Sequence, residues 1–238
     1  MSQVQAVFER HEKKYLLTTE QYDEVKTLLD RYMHADQYGL HTISSIYLDT
    51  PTYEIIRRSI AKPSYKEKVR LRSYGTPGPH DTVFLELKKK VAGVVYKRRV
   101  AMPHDEAERY LETGICPPEA SQIFSEIDWF MKRKKPSPAV CISCDRLALY
   151  GADDPNFRVT FDFRMRWRTT DLTLAAGSSG DALIDPGMVL MEVKTTDALP
   201  LWLTRFLSEH DIYPTSFSKY GTCYTKYLLN AEDLSHAG

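Results

Sequence analysis

Apolar and polar residues alternate along most of this chain, which is the period of a β-strand whose side chains point to opposite faces in turn. The pattern is clearest over residues 158–168. There Val159, Phe161, Phe163, Met165 and Trp167 separate Arg158, Thr160, Asp162, Arg164, Arg166 and Arg168. Similar runs predict strands over 7–17, 42–48, 64–74, 82–90, 94–102, 139–150 and 188–195, so that eight strands are expected with 157–168. Ala92-Gly93 is a tight hairpin signal between the fourth and fifth. Several other connections are short, and much of the sheet is expected to be antiparallel. Helical spacing is confined to six segments: 19–33, 51–61, 104–113, 119–133, 199–210 and 217–230. The first carries Tyr22, Val25, Leu28, Leu29 and Tyr32 on one face, with Thr18 or Thr19 to cap it. The second has Pro51 in its first turn, and the third stops at Gly114. A Gly/Ser-rich stretch, 175–187, reads as a flexible loop, and the basic segment 131–138 as a solvated turn. No repeat or long linker appears, so a single α+β domain over 1–238 is expected, with its core at about 7–228.

Composition alters this little. Hydrophobic residues make up 42% and charged residues 27%, ordinary for a chain that buries a core. Lys+Arg and Asp+Glu each total 32, so the chain is not a generally basic nucleic-acid binder. No apolar run approaches the roughly 20 residues of a membrane-spanning helix, and residues 1–10 lack the apolar stretch of a signal peptide. Cys116, Cys141, Cys144 and Cys223 are too scattered for a disulfide framework, which suits a cytoplasmic location. Cys141 and Cys144 lie three apart on a predicted strand and face opposite sides, as buried strand cysteines do.

The placement of charge is more informative. Arg158 begins one basic row, and Lys66, Lys68, Arg70 and Arg72 form another. Glu86 with Lys88, Lys97 with Arg99, Arg10 with Glu12 and Lys14, and Glu192 with Lys194 share faces of further strands, while Arg146 ends one more. A sheet with one face in water also alternates apolar and charged residues. Rows made mostly of Lys and Arg, however, repel one another unless an anion lies among them. A sheet closed into a barrel would line a pore with these cations and leave the apolar face to the helices. A phosphate chain suits such a pore, because Arg grips phosphate oxygens in bidentate fashion and Lys supplies point charge. Acids set among phosphates point to a bridging Mn²⁺ or Mg²⁺, which takes one or two carboxylates plus phosphate oxygens. Glu192 is the first candidate ligand, with Glu12 and Glu86 as helpers; each is alternatively a salt-bridge partner of a neighbouring cation.

In order along the chain stand Arg10-His-Glu-Lys-Lys-Tyr15, Lys68-Val-Arg-Leu-Arg-Ser-Tyr74, Glu86-Leu-Lys88, Lys97-Arg-Arg99, Asp145-Arg146, Arg158-Val-Thr-Phe-Asp162, Glu192-Val-Lys194 and Ser218-Lys-Tyr220. This ordered set resembles the vacuolar transporter chaperone (VTC) domain, a polyphosphate polymerase of the triphosphate tunnel metalloenzymes, which also include CYTH-type triphosphatases. The resemblance implies an eight-stranded antiparallel tunnel flanked by helices. It implies phosphate binding by Lys14, Arg70, Arg72, Lys88, Lys97, Arg146 and Arg158, a metal on Glu192, and phosphate contacts from Ser218 and Lys219. Arg10, Lys68 and Arg99 belong to the same basic rows. CYTH hydrolases open with Glu-x-Glu-x-Lys, whereas Arg10, Glu12 and Lys14 put a cation in place of one carboxylate. Cys144 stands where the fungal polymerase has Tyr, and Ser216 where it has Lys.

The implied reaction moves the γ-phosphate of ATP onto inorganic polyphosphate, with Arg70, Arg72, Arg146 and Arg158 stabilising the transferring group. A metal-dependent tripolyphosphatase and a non-catalytic polyphosphate or inositol phosphate sensor are the alternatives. Nucleic acid is not expected, because the aromatics alternate away from the basic faces. The chain has no membrane span of its own, though the resemblance implies a membrane-protein partner.

Overall fold

A computed structural model describes residues 11–61, 64–92, 94–117, 121–196 and 198–229. Arg10, and the part of the first predicted strand before His11, lie outside the described residues. The principal strands fall where alternation predicts them: β1 (His11–Leu17), β3 (His41–Asp49), β4 (Tyr65–Tyr74), β5 (Thr82–Val91), β6 (Val94–Pro103), β7 (Ser137–Gly151), β8 (Arg158–Arg168) and β10 (Val189–Thr195). Two short strands were not anticipated, β2 (Met33–Ala35) against β7 and β9 (Asp181–Ala182) against β8. The helices are α1 (Thr19–Leu29), α2 (Glu54–Ile60), α3 (His104–Thr113), α4 (Gln122–Lys134), α5 (Leu201–Glu209) and α6 (Lys219–Cys223), the last continuing as a wider turn over Tyr224–Leu228.

The chain divides into two compact units, with β7 and β8 contributing residues to each. The first comprises the described residues within 11–41, 145–164 and 184–217. In it β1 pairs with β10 and β10 with β8, both antiparallel. One face carries Tyr15, Leu17, Val159, Phe161, Val189, Met191 and Val193, all buried against Val25 and Leu29 of α1 and Leu203 and Leu207 of α5. Phe161 and Phe163 meet the ring of Tyr22 edge-on at 4.9 and 5.0 Å, so these aromatics face helix, as alternation requires. A capping box between Thr18 and Gln21 starts α1. The helix stops at Leu29, short of the expected Met33, whose backbone instead pairs with Gly151.

The second unit comprises the described residues within 42–144, 165–183 and 218–229. Here β3, β4, β5 and β6 pair successively and antiparallel. Ile46, Leu48, Val69, Leu71, Leu85 and Leu87 are buried with Tyr110 of α3 and Phe124, Ile127 and Phe130 of α4. α2 starts three residues after Pro51. The carboxylate of Asp49 accepts the backbone N–H groups of Thr50, Ile55 and Ile56 and so does the capping from upstream. Of the cysteines, Cys141, Cys144 and Cys223 are buried and all four are free thiols.

Two positions break the alternation of β8. Arg164 has φ 43°, a left-handed conformation costly for a residue with a side chain. Consequently consecutive Phe163 and Arg164 line one cavity of about 390 Å³ beside Tyr22 and Asp23, and Arg164 leaves the expected basic row to pair with Asp145 at 2.7 Å. Arg168 is buried, and its guanidinium donates to the carbonyls of Asp171, Thr173, Gly177 and Ser179. The segment read as a flexible loop is therefore pinned by a cation that the sequence pattern had placed on the phosphate face.

Candidate functional site

Cross-strand register decides which of the candidate residues meet. In the second unit, Lys68 of β4 stands opposite Lys88 of β5, which stands opposite Lys97 of β6. The next rung is Arg70, Glu86 and Arg99, and Tyr47 of β3 lies opposite Arg70. Arg72 follows, opposite Ser45, whose hydroxyl accepts its Nε–H at 3.1 Å. Neighbouring strands are about 4.8 Å apart, so six cations occupy three short rungs with one carboxylate.

That carboxylate is 2% exposed and ringed by charge. Arg70 reaches Glu86 Oε2 at 2.6 Å, while Lys97 and Arg99 reach Oε1 at 2.7 and 3.1 Å. Burial alone would push the Glu86 carboxyl up. The charges of Arg70 and Arg72, with Lys97, override it and hold the group down at about 2. Both oxygens of Glu86 are thus already engaged by cations. The Arg99 Cζ also lies over the Phe84 ring, 3.7 Å from its centroid, and the guanidinium donates to the Tyr74 hydroxyl.

The start of α6 joins the same patch. Lys68 Nζ donates to Ser218 Oγ at 2.7 Å, and that oxygen accepts the Gly221 N–H at 3.1 Å as the helix cap. A Cβ on Gly221 would come within 3.1 Å of the same oxygen, so a side chain there would crowd the cap. Lys219 lies close enough to act on the buried Tyr47 phenol. Burial pushes that phenol up, but Arg70, Arg72, Lys68 and Lys219 together bring it below its ordinary value. Tyr47 stacks on Tyr220 at 4.8 Å, and the Tyr220 hydroxyl donates to Asp49 at 2.9 Å. The carboxylate that caps α2 therefore also anchors α6, and with it Ser218 and Lys219.

In the first unit the rungs read Glu12, Lys194 and Arg158, then Lys14, Glu192 and Thr160. Lys14 Nζ lies 3.3 Å from both Glu12 Oε1 and Glu192 Oε1, and Lys194 lies 3.4 Å from Glu192 Oε2. Lys14 also donates to the Phe217 carbonyl. Arg146 is held by Asp162 through two bonds of 2.6 and 2.7 Å, and Asp162 is wholly buried. Four cations (Lys14, Arg146, Arg158, Lys194) thus share this face with three acids (Glu12, Asp162, Glu192), so its charge is nearly balanced. The expectation of mainly cationic rows fits the second unit better than the first.

Among the described residues no group of three or more His, Cys, Asp and Glu side chains is arranged to hold a metal ion. Glu12 and Glu192 nevertheless converge on one cationic point, now the Lys14 ammonium. Two hard carboxylates of that kind fit Mg²⁺ or Mn²⁺ with phosphate and water completing the shell. Glu86 fits less well, because its neighbours are cations. Tyr47, Asp49, Asp162 and Tyr220 carry roles here that the residue pattern did not assign to them. For the first two a signal existed: Ser45, Tyr47 and Asp49 alternate with Ile46 and Leu48 on β3.

Comparison with solved structures defines the class. A putative adenylate cyclase from Bacillus halodurans superposes with TM-score 0.56 at 12% identity, covering 87% of this chain and 92% of its own. A Hippeastrum protein described as a putative adenylyl cyclase with a dominant triphosphatase activity superposes with TM-score 0.54 at 14% identity, covering 91% and 96%. The fold is the expected α+β triphosphate tunnel class, with eight principal antiparallel strands and helices. No curated protein sequence matches the chain. The VTC domain matches residues 9–228, and the chain belongs to that family. No helix among the described residues is long and apolar enough to cross a membrane.

Proposed function

We propose that this chain is a metal-dependent polyphosphate polymerase, which transfers the γ-phosphate of ATP to the terminal oxygen of an inorganic polyphosphate chain. The observation that carries this reading is the run of Lys68, Lys88, Lys97, Arg70, Arg72 and Arg99 around one acid in the second unit. A field of that sign and density is relieved by a polyanion, and phosphoryl transfer demands little of a protein beyond positioning and charge neutralisation. Arg70 and Arg72, oriented by Glu86 and Ser45, would bind the equatorial oxygens of the transferring group. Lys68, Lys88, Lys97, Arg99, Ser218 and Lys219 would hold the rest of the phosphate chain. Within the first unit Arg146, fixed by Asp162, and Arg158 and Lys14 would bind phosphate oxygens.

A new P–O bond forms between the γ-phosphorus and the acceptor oxygen while the bond to the β-phosphate oxygen breaks, releasing ADP. The acceptor is already anionic, so no general base is needed. A divalent ion held by Glu192 and Glu12 would supply Lewis-acid neutralisation of phosphate charge. Its binding requires that the Lys14 ammonium give up its place between the two carboxylates, and a phosphate oxygen is a suitable new partner for it.

Hydrolysis of triphosphate is the second reading, and the activity named for the Hippeastrum relative favours it. The pure protein is incubated with ATP and Mn²⁺ and the products are sized by electrophoresis. Long chains with ADP support the polymerase. Orthophosphate without chains replaces it by the hydrolase, and tight tripolyphosphate binding with no turnover replaces both by a sensor.

A further inference from the structure

The β5–β6 hairpin ends in an apolar tip that nothing in the proposed chemistry uses. Val91, Val94, Val95 and Tyr96 are 41–49% exposed. Residues 94–97 are four consecutive exposed positions, so among the described residues neither face of this end of the hairpin is buried. Register places Val94 opposite Val91, Val95 opposite Lys90 and Tyr96 opposite Lys89. Val95 accordingly lies on the face of Lys97, and Val91, Val94 and Tyr96 lie on the other. The tip is apolar on both faces, unlike a strand that merely leaves one face in water.

A basic collar adjoins it. From residue 88 to 103 the chain carries Lys88, Lys89, Lys90, Lys97, Arg98 and Arg99 and no acid, in a protein whose net charge is zero. Lys97 and Arg99 are drawn to Glu86, and Arg98 to Glu126 at 2.5 Å. Among the described residues neither Lys89 nor Lys90 is ion-paired; Glu67, across from Lys89, is bonded by the Tyr65 hydroxyl. An exposed apolar end with unpaired lysines just behind it matches the layering of an anionic bilayer, whose acyl boundary lies beneath negative headgroups.

We propose that the β5–β6 tip docks on an anionic membrane surface, with Val91, Val94, Val95 and Tyr96 entering the interface and Lys89 and Lys90 meeting the headgroups. The contact is peripheral and salt-sensitive, since such attraction fades within a Debye length. It is tested by co-sedimentation with vesicles of phosphatidylcholine containing 30% phosphatidylserine, against vesicles of phosphatidylcholine alone. The expected result is binding to the first and not the second, abolished by Val94→Asp/Val95→Asp. Lys89→Gln/Lys90→Gln weakens it by about fivefold per lysine, and raised salt weakens it too. Leu201→Ser, at an exposed apolar site elsewhere, leaves it unchanged. Melting curves confirm that each variant is folded, and the lysine pair tests the idea even if the aspartates perturb the hairpin. Absence of serine-lipid-dependent binding, or binding indifferent to both tip variants, overturns the proposal. So does a tip that instead supports self-association, seen by light scattering as a dimer lost in Val94→Asp/Val95→Asp without any lipid effect.

Discussion

Glu86→Gln is the most direct probe of the cationic patch. The wild-type carboxyl lies at about 2 against its ordinary 4.5. At 1.36 kcal/mol per pKa unit the difference corresponds to about 3 kcal/mol of folded-state interaction. Because the folded value is depressed, this contribution is present in full above pH 4.5. It is lost as pH falls from 4.5 toward 2. Glutamine keeps the shape but leaves Arg70, Lys97 and Arg99 without their common counter-charge. For a chain of this size each kcal/mol moves Tm by about 2–4 °C, so a fall of about 6–12 °C is expected at pH 7. The gap from wild type should close as pH drops through the acid range. Added tripolyphosphate should raise the variant's Tm more than the wild type's, since a bound anion restores the missing charge, and Mn²⁺ alone should not. Thermal melts of both proteins at several pH values, with and without tripolyphosphate at low salt, measure all three effects. A Tm within 2 °C of wild type at pH 7, or equal gains from tripolyphosphate, would refute the assignment of Glu86 as the charge that organises this patch.

Three further outcomes follow from the site. Wild-type protein should gain stability from millimolar tripolyphosphate at low ionic strength, as RT ln(1 + [L]/Kd), and the gain should shrink in high salt; no Tm shift at low salt contradicts the anion site. Glu192→Gln should lower metal-dependent turnover by about a hundredfold or more while keeping much of the tripolyphosphate binding; near-normal turnover at saturating Mn²⁺ with a lowered Tm would show Glu192 to be only a partner of Lys14 and Lys194. Asp49→Ala should cost about 2 kcal/mol or more, because it strips the cap from α2 and the partner from Tyr220; a chemical-denaturation midpoint equal to wild type would contradict that double role.

Much of this molecule is local in origin and can be read along the chain. Two-residue alternation marks all eight principal strands. The Thr18–Gln21 box starts α1, Gly114 ends α3, and the residue types on β4, β5 and β6 announce a cationic face before any partner is known. Alternation gives a side chain its face but not its neighbour, and the neighbour decides what a charge does. Tertiary structure alone brings Asp162 to Arg146 from 16 positions away, and Asp49 to Tyr220 from 171. Cross-strand register gathers Arg70, Lys97 and Arg99 onto Glu86, whereas Lys68, Lys88 and Lys97 share a rung with no acid. A single left-handed residue, Arg164, turns one expected cation out of the row, and a ring of backbone carbonyls takes Arg168 for the loop. These outcomes depend on long-range pairing and on the cost of leaving a buried charge or carbonyl unpartnered, which local residue pattern does not encode.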